Sequence, residues 1–212
     1  MQSQHIDLLL ERNPTLSVCV AEIERAFTVL RDVFRAGGKA LVCGNGGSAA
    51  DSDHWAGELL KGFRSTRPLS GADRATLPSN LGKRLQGGLP MIPLTSFPAV
   101  STAIANDMSP EVVYAQLVWA LGQQDDVFIG ISTSGNSSNV CAAAKVARGK
   151  GLFTIALTGQ SGGELAPLCG IAIRVPQSET YLVQESHLPI YHCLALMLED
   201  EFFPPSPAVN AE

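Results

Sequence analysis

The sequence predicts an α/β fold: one five-stranded parallel sheet flanked by helices, with a helical extension at the N-terminus. Five short runs are apolar and do not alternate with polar residues, as expected for strands buried on both faces. They cover residues 40–43, 91–94, 127–131, 153–157 and 171–175. Segments with helical spacing separate these runs. Such an alternation of strand and helix is typical of a parallel sheet wrapped by helices.

Two helices are predicted before the first strand. The first covers about residues 6–11, and Asn13-Pro14 then interrupts the chain, because proline is tolerated in the first turn of a new helix. The second helix carries apolar residues at helical spacing, namely Val20, Ile23, Phe27, Leu30 and Phe34. Gly37-Gly38 ends it. We therefore expect an N-terminal helical extension over residues 1–36.

The remaining helices lie between and after the strands. They are predicted at residues 48–61, 100–105 together with 110–121, 137–149 and, more weakly, 164–168, and a long last helix covers about 179–201. The connection 64–90 is long and rich in Gly, Pro, Ser, Leu and basic residues, and such connections are often functional or mobile. We expect a core domain over residues 37–203, with 64–90 as a long loop insertion. The Pro-rich tail 204–212 is expected to be disordered.

Composition restricts the possible partners. The chain has 212 residues, of which 45% are hydrophobic and 17% charged, and this suits one globular domain with a real core. A net charge of −5 argues against nucleic acid and against an anionic membrane surface. No apolar stretch reaches the ~18 residues of a membrane span, and no basic region precedes the N-terminal leucines. Five cysteines without a C-x-x-C pair suggest free thiols. We expect a cytoplasmic protein without nucleic-acid or membrane partners.

The first strand runs directly into a glycine-rich turn, Gly44-Asn45-Gly46-Gly47-Ser48. The turn opens a predicted helix, whose unpaired backbone N–H groups and dipole favour an anion. Glycines allow the backbone to approach a ligand closely. The third glycine of a dinucleotide fingerprint is missing, and no Lys-Ser or Lys-Thr follows. The turn is therefore neither a Rossmann fingerprint nor a P-loop.

A second loop of small residues, Ser132-Thr133-Ser134-Gly135-Asn136-Ser137, follows the third strand and precedes a helix. Its hydroxyls and the free amides suit the oxygens of a phosphate monoester. The plainer alternative is a capped helix start, which needs only one or two of these residues. Ligands of open parallel sheets gather beyond the carboxyl ends of the strands, and we expect both loops at that edge.

Four candidate acid–base or metal-binding residues lie on two predicted helices. His54 and Glu58 are four residues apart after the first loop and share one helix face. Gln184 and His192 lie on the last helix, eight residues apart, and both can face one cleft, whereas His187 is expected to face elsewhere. The alternatives are a solvated helix face for the first pair and an ordinary core histidine for His192.

Asn106 and Asp107 lie at the end of a predicted helix. Both residue types are common in turns, which is the simpler interpretation. Beside a sugar, the Asp107 carboxylate would instead accept hydrogen bonds from hydroxyl groups.

Together these motifs resemble the sugar isomerase (SIS) domain family. The resemblance runs from about residue 15 to residue 203 in the family's order. It also includes Leu157-Thr158-Gly159 with Gly162-Gly163, and Val183-Gln184-Glu185 with His187. The sequence is most similar to members that isomerise a seven-carbon ketose phosphate. The resemblance implies a five-stranded parallel sheet, a helical N-terminal extension and a homotetramer whose active sites are built at subunit interfaces.

The resemblance also implies roles for individual residues. Glu58 and His192 match the catalytic pair of an aldose–ketose isomerase that converts sedoheptulose 7-phosphate to D-glycero-D-manno-heptose 7-phosphate through a cis-enediol. The substrate would be bound by Asn45, Gly46, Gly47, Ser48, Asn106, Asp107, Ser132, Thr133, Ser134, Ser137 and Gln184. In some members one zinc ion per subunit is held at the positions of His54, Glu58, Gln184 and His192. Two imidazoles, a carboxylate and an amide oxygen suit zinc in kind.

Two other functions stay open. An isomerase of another sugar phosphate is one, because residues 64–90 are longer than in a typical member and can reshape the cleft. Leu182 and Gly170 also replace an arginine and an aspartate that are common in the family. A non-catalytic relative that binds a replication initiator is the other, although such relatives lack the full His/Glu and Gln/His set. We expect the insertion either to be a solvated loop or to lie near the mouth of the site, where an anionic substrate would meet Arg67, Arg74, Lys83 or Arg84.

A physical reason also favours assembly. The apolar stripe of the second helix and the apolar residues 194–198 of the last helix present more surface than one small sheet is expected to cover. Part of this surface should therefore be buried between subunits.

Overall fold

The computed structural model describes residues 3–204 and confirms the predicted α/β architecture. One sheet contains five parallel strands, β1 (Ala40–Gly44), β2 (Met91–Pro93), β3 (Val127–Ser132), β4 (Phe153–Thr158) and β5 (Ile171–Arg174), in the order β2-β1-β3-β4-β5. Every predicted strand agrees with the observed one to within one residue at each end. The register places Ala40 beside both Met91 and Val127, so β1 lies in the interior of the sheet.

The helices follow the predicted order. They are α1 (Gln4–Arg12), α2 (Val20–Arg35), α3 (Gly47–Leu60), α4 (Gly71–Ala75), α5 (Ser79–Gly82), α6 (Pro98–Asp107), α7 (Val113–Leu121), α8 (Ser138–Gly149) and α9 (Thr180–Phe202). Short 3₁₀ turns occupy Pro14–Cys19, Leu94–Ser96, Pro110–Val112 and Ala166–Leu168. The weakest predicted helix, 164–168, is therefore only one 3₁₀ turn, in keeping with the Pro in its centre.

Two apolar clusters cover the two faces of the sheet. On one face α1, α2, α3 and α9 pack against alternate strand residues such as Val42, Ile129 and Ile155. On the other face α6, α7 and α8 pack against Leu41, Phe128 and their neighbours. The N-terminal extension belongs to the first cluster, so it is part of the same core.

The physical reason given above for a subunit interface is wrong. Ile23, Leu30 and Phe34 of the α2 stripe are buried within this one chain, and Val20 and Phe27 pack against the same core. The apolar residues of 194–198 are also almost all buried. The sheet covers both surfaces because α2 and α9 pack against each other as well as against the strands.

The insertion 64–90 contains α4, α5 and an antiparallel bridge between Pro68 and Gln86. Arg67 is fully buried, so the expectation that it meets a substrate is wrong. Its Nε donates to Glu199 Oε1 at 2.7 Å, and its guanidinium also donates to the carbonyls of Leu59 at 2.8 Å and Glu58 at 2.9 Å. Arg67 thereby ties the insertion to the ends of α3 and α9. The insertion's other predicted substrate contacts, Arg74, Lys83 and Arg84, are exposed.

The cysteines and the helix lengths agree with the sequence. All five cysteines are free thiols, and four of them are buried. Of the helices within residues 3–204, none combines the length and the apolar character needed to cross a membrane. The predicted disordered tail lies outside the described residues, apart from Pro204.

Candidate active site

The glycine-rich loop joins β1 to α3 at the carboxyl edge of the sheet. Gly46 has φ 57°, a conformation that favours glycine. A Cβ atom on Gly47 would lie 2.4 Å from Gln184 Nε2, so this glycine allows the α9 side chain to approach the start of α3. Asn45 and Gly46 are exposed, whereas Ser48 is buried. The Ser48 amide donates to the Asn45 carbonyl, so among the described residues of this loop the Gly46 and Gly47 amides remain to serve a ligand.

The serine loop joins β3 to α8 at the same edge. Ser132 Oγ and Ser137 Oγ lie 3.0 Å apart, and Ser134 Oγ accepts a hydrogen bond from the Asn136 amide at 3.1 Å. Gly135 has φ 71° and packs against the Gly162 backbone, where a Cβ atom would have no room. The hydroxyls of this loop are thus gathered in front of the α8 N-terminus, where they can serve an anion.

The two loops meet because β1 and β3 are neighbours in the sheet. The side-chain amides of Asn45 and Asn139 exchange two hydrogen bonds, of 2.9 and 3.0 Å. A cavity of about 370 Å³ opens beside the serine loop and is also lined by residues that follow β4 and β5. Its lining residues are Thr133, Ser134, Asn136, Gly159, Gln160, Ser161 and Ser178. Apart from Gly159, each of these residues carries a hydroxyl or a side-chain amide, and such groups suit a polar ligand.

A second group of side chains lies farther along α3. His54 Nε2 is 3.2 Å from Glu58 Oε1. The His54 and His192 rings are 5.0 Å apart and nearly perpendicular. One ligand atom from each of His54, Glu58 and His192 lies within 4.8 Å of the other two. We call these three residues the His–Glu–His cluster.

Within this cluster, burial changes the protonation chemistry of His192. The His192 ring is half-buried, and its Nε2 is enclosed without a hydrogen-bond partner in the described structure. Burial lowers the pKa of His192, the nearby His54 lowers it further, and the Glu58 carboxylate partly opposes the change. At neutral pH His192 is therefore a neutral imidazole. Its unpaired nitrogen can donate or accept a proton, or bind a metal.

The cluster fits a zinc ion in composition and spacing. Two imidazoles and one carboxylate with an open position are a common zinc donor set. Two atoms that bind one zinc at about 2.1 Å and at roughly tetrahedral angles lie about 3.4 Å apart, close to the separation of His54 Nε2 from Glu58 Oε1. The enclosed His192 nitrogen without a partner agrees with the same interpretation.

The fourth expected ligand, Gln184, stays a prediction. Gln184 lies against Gly47, at the start of α3. The eight residues from Gln184 to His192 correspond to about 12 Å along α9, because a helix rises 1.5 Å per residue. As predicted, His187 faces elsewhere and is fully buried.

Asn106 and Asp107 are exposed at the end of α6. The Asn106 amide donates to the Asp107 carboxylate at 2.8 Å. Within residues 3–204, no hydrogen bond connects either side chain with the two loops. Their role as sugar-binding residues stays a prediction.

Two residues beside the cluster were missed in the sequence. The Tyr191 hydroxyl lies 3.0 Å from His54 Nδ1 and 3.3 Å from Asp51 Oδ1. Burial raises the pKa of Asp51, while the Tyr191 hydroxyl and His54 oppose the change. A signal was available for Asp51, because it precedes His54 by three residues and so lies near it on α3. For Tyr191 the sequence contains no such signal apart from its position next to His192.

Comparison with known proteins places these features among relatives. The family model of the SIS domain matches residues 16–159. A phosphoheptose isomerase of Aneurinibacillus thermoaerophilus is 40% identical over 181 residues, which are 85% of this chain and 82% of the relative. A phosphoheptose isomerase of Trichlorobacter lovleyi is 38% identical over 94% of this chain and 90% of its own length.

Solved structures agree with these sequence relatives. Phosphoheptose isomerase GmhA from Neisseria gonorrhoeae superposes with a TM-score of 0.74 at 30% identity, covering 92% of this chain and 95% of its own. A phosphoheptose isomerase from Francisella tularensis gives a TM-score of 0.75 at 32% identity, covering 89% and 91%.

Proposed function

Because the chain belongs to the SIS domain family, and within it to the phosphoheptose isomerases, we propose that it converts sedoheptulose 7-phosphate to D-glycero-D-manno-heptose 7-phosphate. The observation that carries the proposal is the His–Glu–His cluster. A carboxylate and a neutral imidazole at this spacing can move the protons of an aldose–ketose isomerisation. The two small-residue loops supply the donors that a phosphorylated sugar needs.

Glu58 is the proposed base. Its side chain is 16% exposed and is in contact with His54, so it is accessible without being fully solvated. It removes the proton from carbon 1 of the ketose, and the proton is returned at carbon 2 of the cis-enediol. His192 exchanges the proton of the neighbouring hydroxyl or carbonyl oxygen, for which its lowered pKa keeps it neutral.

The serine loop is the proposed phosphate site. Ser132, Thr133, Ser134 and Ser137 donate hydroxyl hydrogen bonds, and the first turn of α8 adds backbone N–H groups. The glycine-rich loop, with Asn45, Gly46, Gly47 and Ser48, would line the sugar, together with Asn106 and Asp107. The phosphate keeps its charge during the reaction, so this loop mainly binds and orients the substrate.

Zinc is the proposed metal, and His54, Glu58 and His192 would hold it. Because a carboxylate cannot hold a metal tightly and act as a free base at the same time, Glu58 would change its role during turnover. When bound, zinc would polarise the carbonyl and hydroxyl oxygens of the substrate. Elemental analysis of the purified protein should find zinc, and chelation should lower activity without unfolding the chain, whose large core does not depend on a metal. Absence of zinc together with full activity in chelator would leave Glu58 and His192 as the whole catalytic machinery.

A homotetramer with shared sites is proposed from the spacing along α3. Glu58 lies eleven residues beyond Gly47, or about 16 Å along the helix axis. This distance is long for one sugar phosphate that must contact both the loops and the base of a single chain. In an assembly, the loops and Gln184 of one subunit would instead face the His–Glu–His cluster of another. Exposed apolar residues such as Val18, Met108 and Trp119 offer surface for such contacts.

Solvent deuterium tests the reaction directly. The purified protein is incubated in D₂O with a panel of ketose phosphates, and deuterium at carbon 2 of the aldose product is measured. Sedoheptulose 7-phosphate should incorporate deuterium fastest. Incorporation only with another sugar phosphate would reassign the substrate, and no incorporation with any sugar would contradict an enzymatic function.

A further inference from the structure

The surroundings of His54 contain a hydrogen-bond chain that the proposed reaction does not use. The chain runs from Asp51 Oδ1 to the Tyr191 hydroxyl at 3.3 Å, and from that hydroxyl to His54 Nδ1 at 3.0 Å. The other ring nitrogen, Nε2, faces Glu58 Oε1 at 3.2 Å. Every polar atom of the His54 ring thus has a defined neighbour.

Packing holds the tyrosine in place. Tyr191 is fully buried, and its ring is stacked on that of Trp55, with centroids 5.7 Å apart and planes 20° apart. Trp55 is also fully buried. The hydroxyl therefore has a fixed position from which it reaches both Asp51 and His54.

Hydrogen-bond directions decide which nitrogen of His54 is free. A tyrosine hydroxyl has one proton to donate and can also accept, whereas a carboxylate can only accept. When the hydroxyl donates to Asp51, its oxygen accepts the Nδ1–H of His54. Nε2 is then unprotonated and directs its lone pair towards Glu58. In the opposite arrangement the hydroxyl donates to Nδ1, and Nε2–H forms an ordinary hydrogen bond with Glu58.

Only the first arrangement is compatible with a metal at the cluster. A lone pair on Nε2 and a carboxylate oxygen 3.2 Å away repel each other unless a cation lies between them. Histidine ligands of metals usually donate their second N–H to an acceptor, which fixes the tautomer and the ring orientation. The acceptor here is a tyrosine hydroxyl that is backed by a carboxylate.

We propose that Tyr191, oriented by Asp51, is a positioning residue that holds His54 in the tautomer with Nε2 free for the metal. This inference rests on the proposed zinc site. Neither Tyr191 nor Asp51 touches the metal position. Both act through His54, so their removal should weaken metal binding without removing a ligand.

The test measures zinc affinity in the full-length protein, by competition with a chromogenic chelator. Tyr191→Phe keeps the ring that stacks on Trp55 and deletes only the hydroxyl. We expect its zinc affinity to fall about tenfold to a hundredfold, the usual effect of removing a partner of a ligating histidine. The cobalt-substituted variant should also show an altered visible spectrum, because the ligand orientation changes.

Tyr114→Phe is the matched control. Tyr114 is another buried tyrosine, and its hydroxyl donates to the Gly44 carbonyl at 2.7 Å, away from the cluster. The Tyr114→Phe protein should be somewhat less stable than the wild type but should bind zinc with the same affinity. Asp51→Asn should weaken zinc binding less than Tyr191→Phe does. The double variant should be no weaker than Tyr191→Phe alone, because Asp51 acts only through the hydroxyl.

Each outcome decides between the two proposals. In one outcome the wild-type protein binds zinc, and Tyr191→Phe shows the same zinc affinity and the same cobalt spectrum. This result would overturn the positioning role of Tyr191 and leave the zinc site standing. Equal losses in Tyr191→Phe and Tyr114→Phe would show a general effect of stability and would also overturn it. A wild-type protein that binds no zinc would reject both the metal and its positioning. Deuterium incorporation in the same sample then decides separately whether the protein is an isomerase.

Discussion

Two histidines of α9 differ in burial and therefore in chemistry. His192 belongs to the His–Glu–His cluster and lies beside Glu58 and His54, so its neutral ring is available for proton transfer. His187 is fully buried, and neither ring nitrogen has a side-chain hydrogen-bond partner within residues 3–204. Burial lowers its pKa to about 4, and the Thr158 backbone offsets only part of this change. In the proposed reaction, histidine would thus transfer protons at position 192, whereas at position 187 it lowers the stability of the fold in acid.

Glu58→Gln tests the catalytic base. The substitution keeps the size of the side chain and removes the proposed proton acceptor, so turnover should fall at least about a hundredfold. The free energy of unfolding should change little, because Glu58 is partly exposed and is not part of a buried ion pair. Turnover with sedoheptulose 7-phosphate and urea unfolding are measured together. Near-normal turnover would show that another group removes the proton.

His187→Leu tests the buried histidine. Unfolded His187 has an ordinary pKa near 6.5, so below that pH the unfolded chain binds a proton that the folded chain resists until about pH 4. Stability is thus fully retained above pH 6.5 and lost as the pH falls towards 4, by up to roughly 3 kcal/mol. The leucine variant should lose less stability over that window. Urea midpoints of both proteins between pH 7.5 and 4.5 give the comparison, and parallel pH profiles would contradict the prediction.

At the scale of elements, the sequence predicts the features that depend on neighbouring residues, namely the strands and the turns. The strands were found because a strand buried on both faces must be apolar throughout, and Gly37 and Gly46 mark chain reversals that need positive φ. Long-range pairings were not predictable in this way. Nothing near Arg67 distinguishes it from the exposed cations of the insertion, because its partner Glu199 lies 132 residues away. The place of Gln184 was likewise set by how α9 packs on α3.

The clamp formed by Arg67 and Glu199 should dominate the stability of the insertion. Burial alone would raise the pKa of Glu199, but hydrogen bonds from the Phe63 amide, Arg67 and the Arg64 amide outweigh it and lower the pKa. Arg67→Met leaves this buried carboxylate without its cation and should cost about 3–5 kcal/mol. Urea unfolding measures the loss.

A surface pair provides the control for the clamp. Arg35 and Glu201 also form an ion pair, but the Arg35 side chain is 55% exposed. Arg35→Met should cost less than about 1 kcal/mol. The double variant Arg67→Met/Glu199→Gln should cost less than the sum of its single changes, since the two side chains form one unit. Equal losses of unfolding free energy in Arg67→Met and Arg35→Met would mean that the buried ion pair stabilises the protein no more than the surface pair does.

The serine loop should affect substrate binding more than the turnover rate. Ser134→Ala and Ser137→Ala each remove one proposed donor to the phosphate. Each should raise KM by the equivalent of about 1.5–3 kcal/mol, with little change in kcat. Thr28→Ala is a control, because the Thr28 hydroxyl donates to the Glu24 carbonyl on the exposed face of α2. Steady-state kinetics separates KM from kcat. An unchanged KM in both serine variants would place the phosphate elsewhere.

For the whole molecule, the separation of loops and cluster predicts complementation between subunits. Glu58→Gln and Gln184→Ala should each be inactive alone. Mixed by co-expression, they should regain activity, because some sites would combine the intact cluster of one subunit with the intact Gln184 of another. Native mass spectrometry should show a tetramer. A mixture as inactive as its parents would indicate that each site lies within one chain.

The order of the strands has a consequence for how the chain is made. Ala40 at the start of β1 pairs with Val127 at the start of β3, so contacts in the sheet join residues that are far apart in the sequence. During synthesis, β1 is therefore complete long before β3 is available to pair with it. α9, which supplies His192 and covers one face of the core, is the last element described. Topologies of this kind fold slowly, since distant segments must be brought together before their contacts stabilise them. The nascent chain therefore leaves the ribosome with its apolar face uncovered, and protection by chaperones at that stage would matter more for this protein than for a helical bundle of the same length.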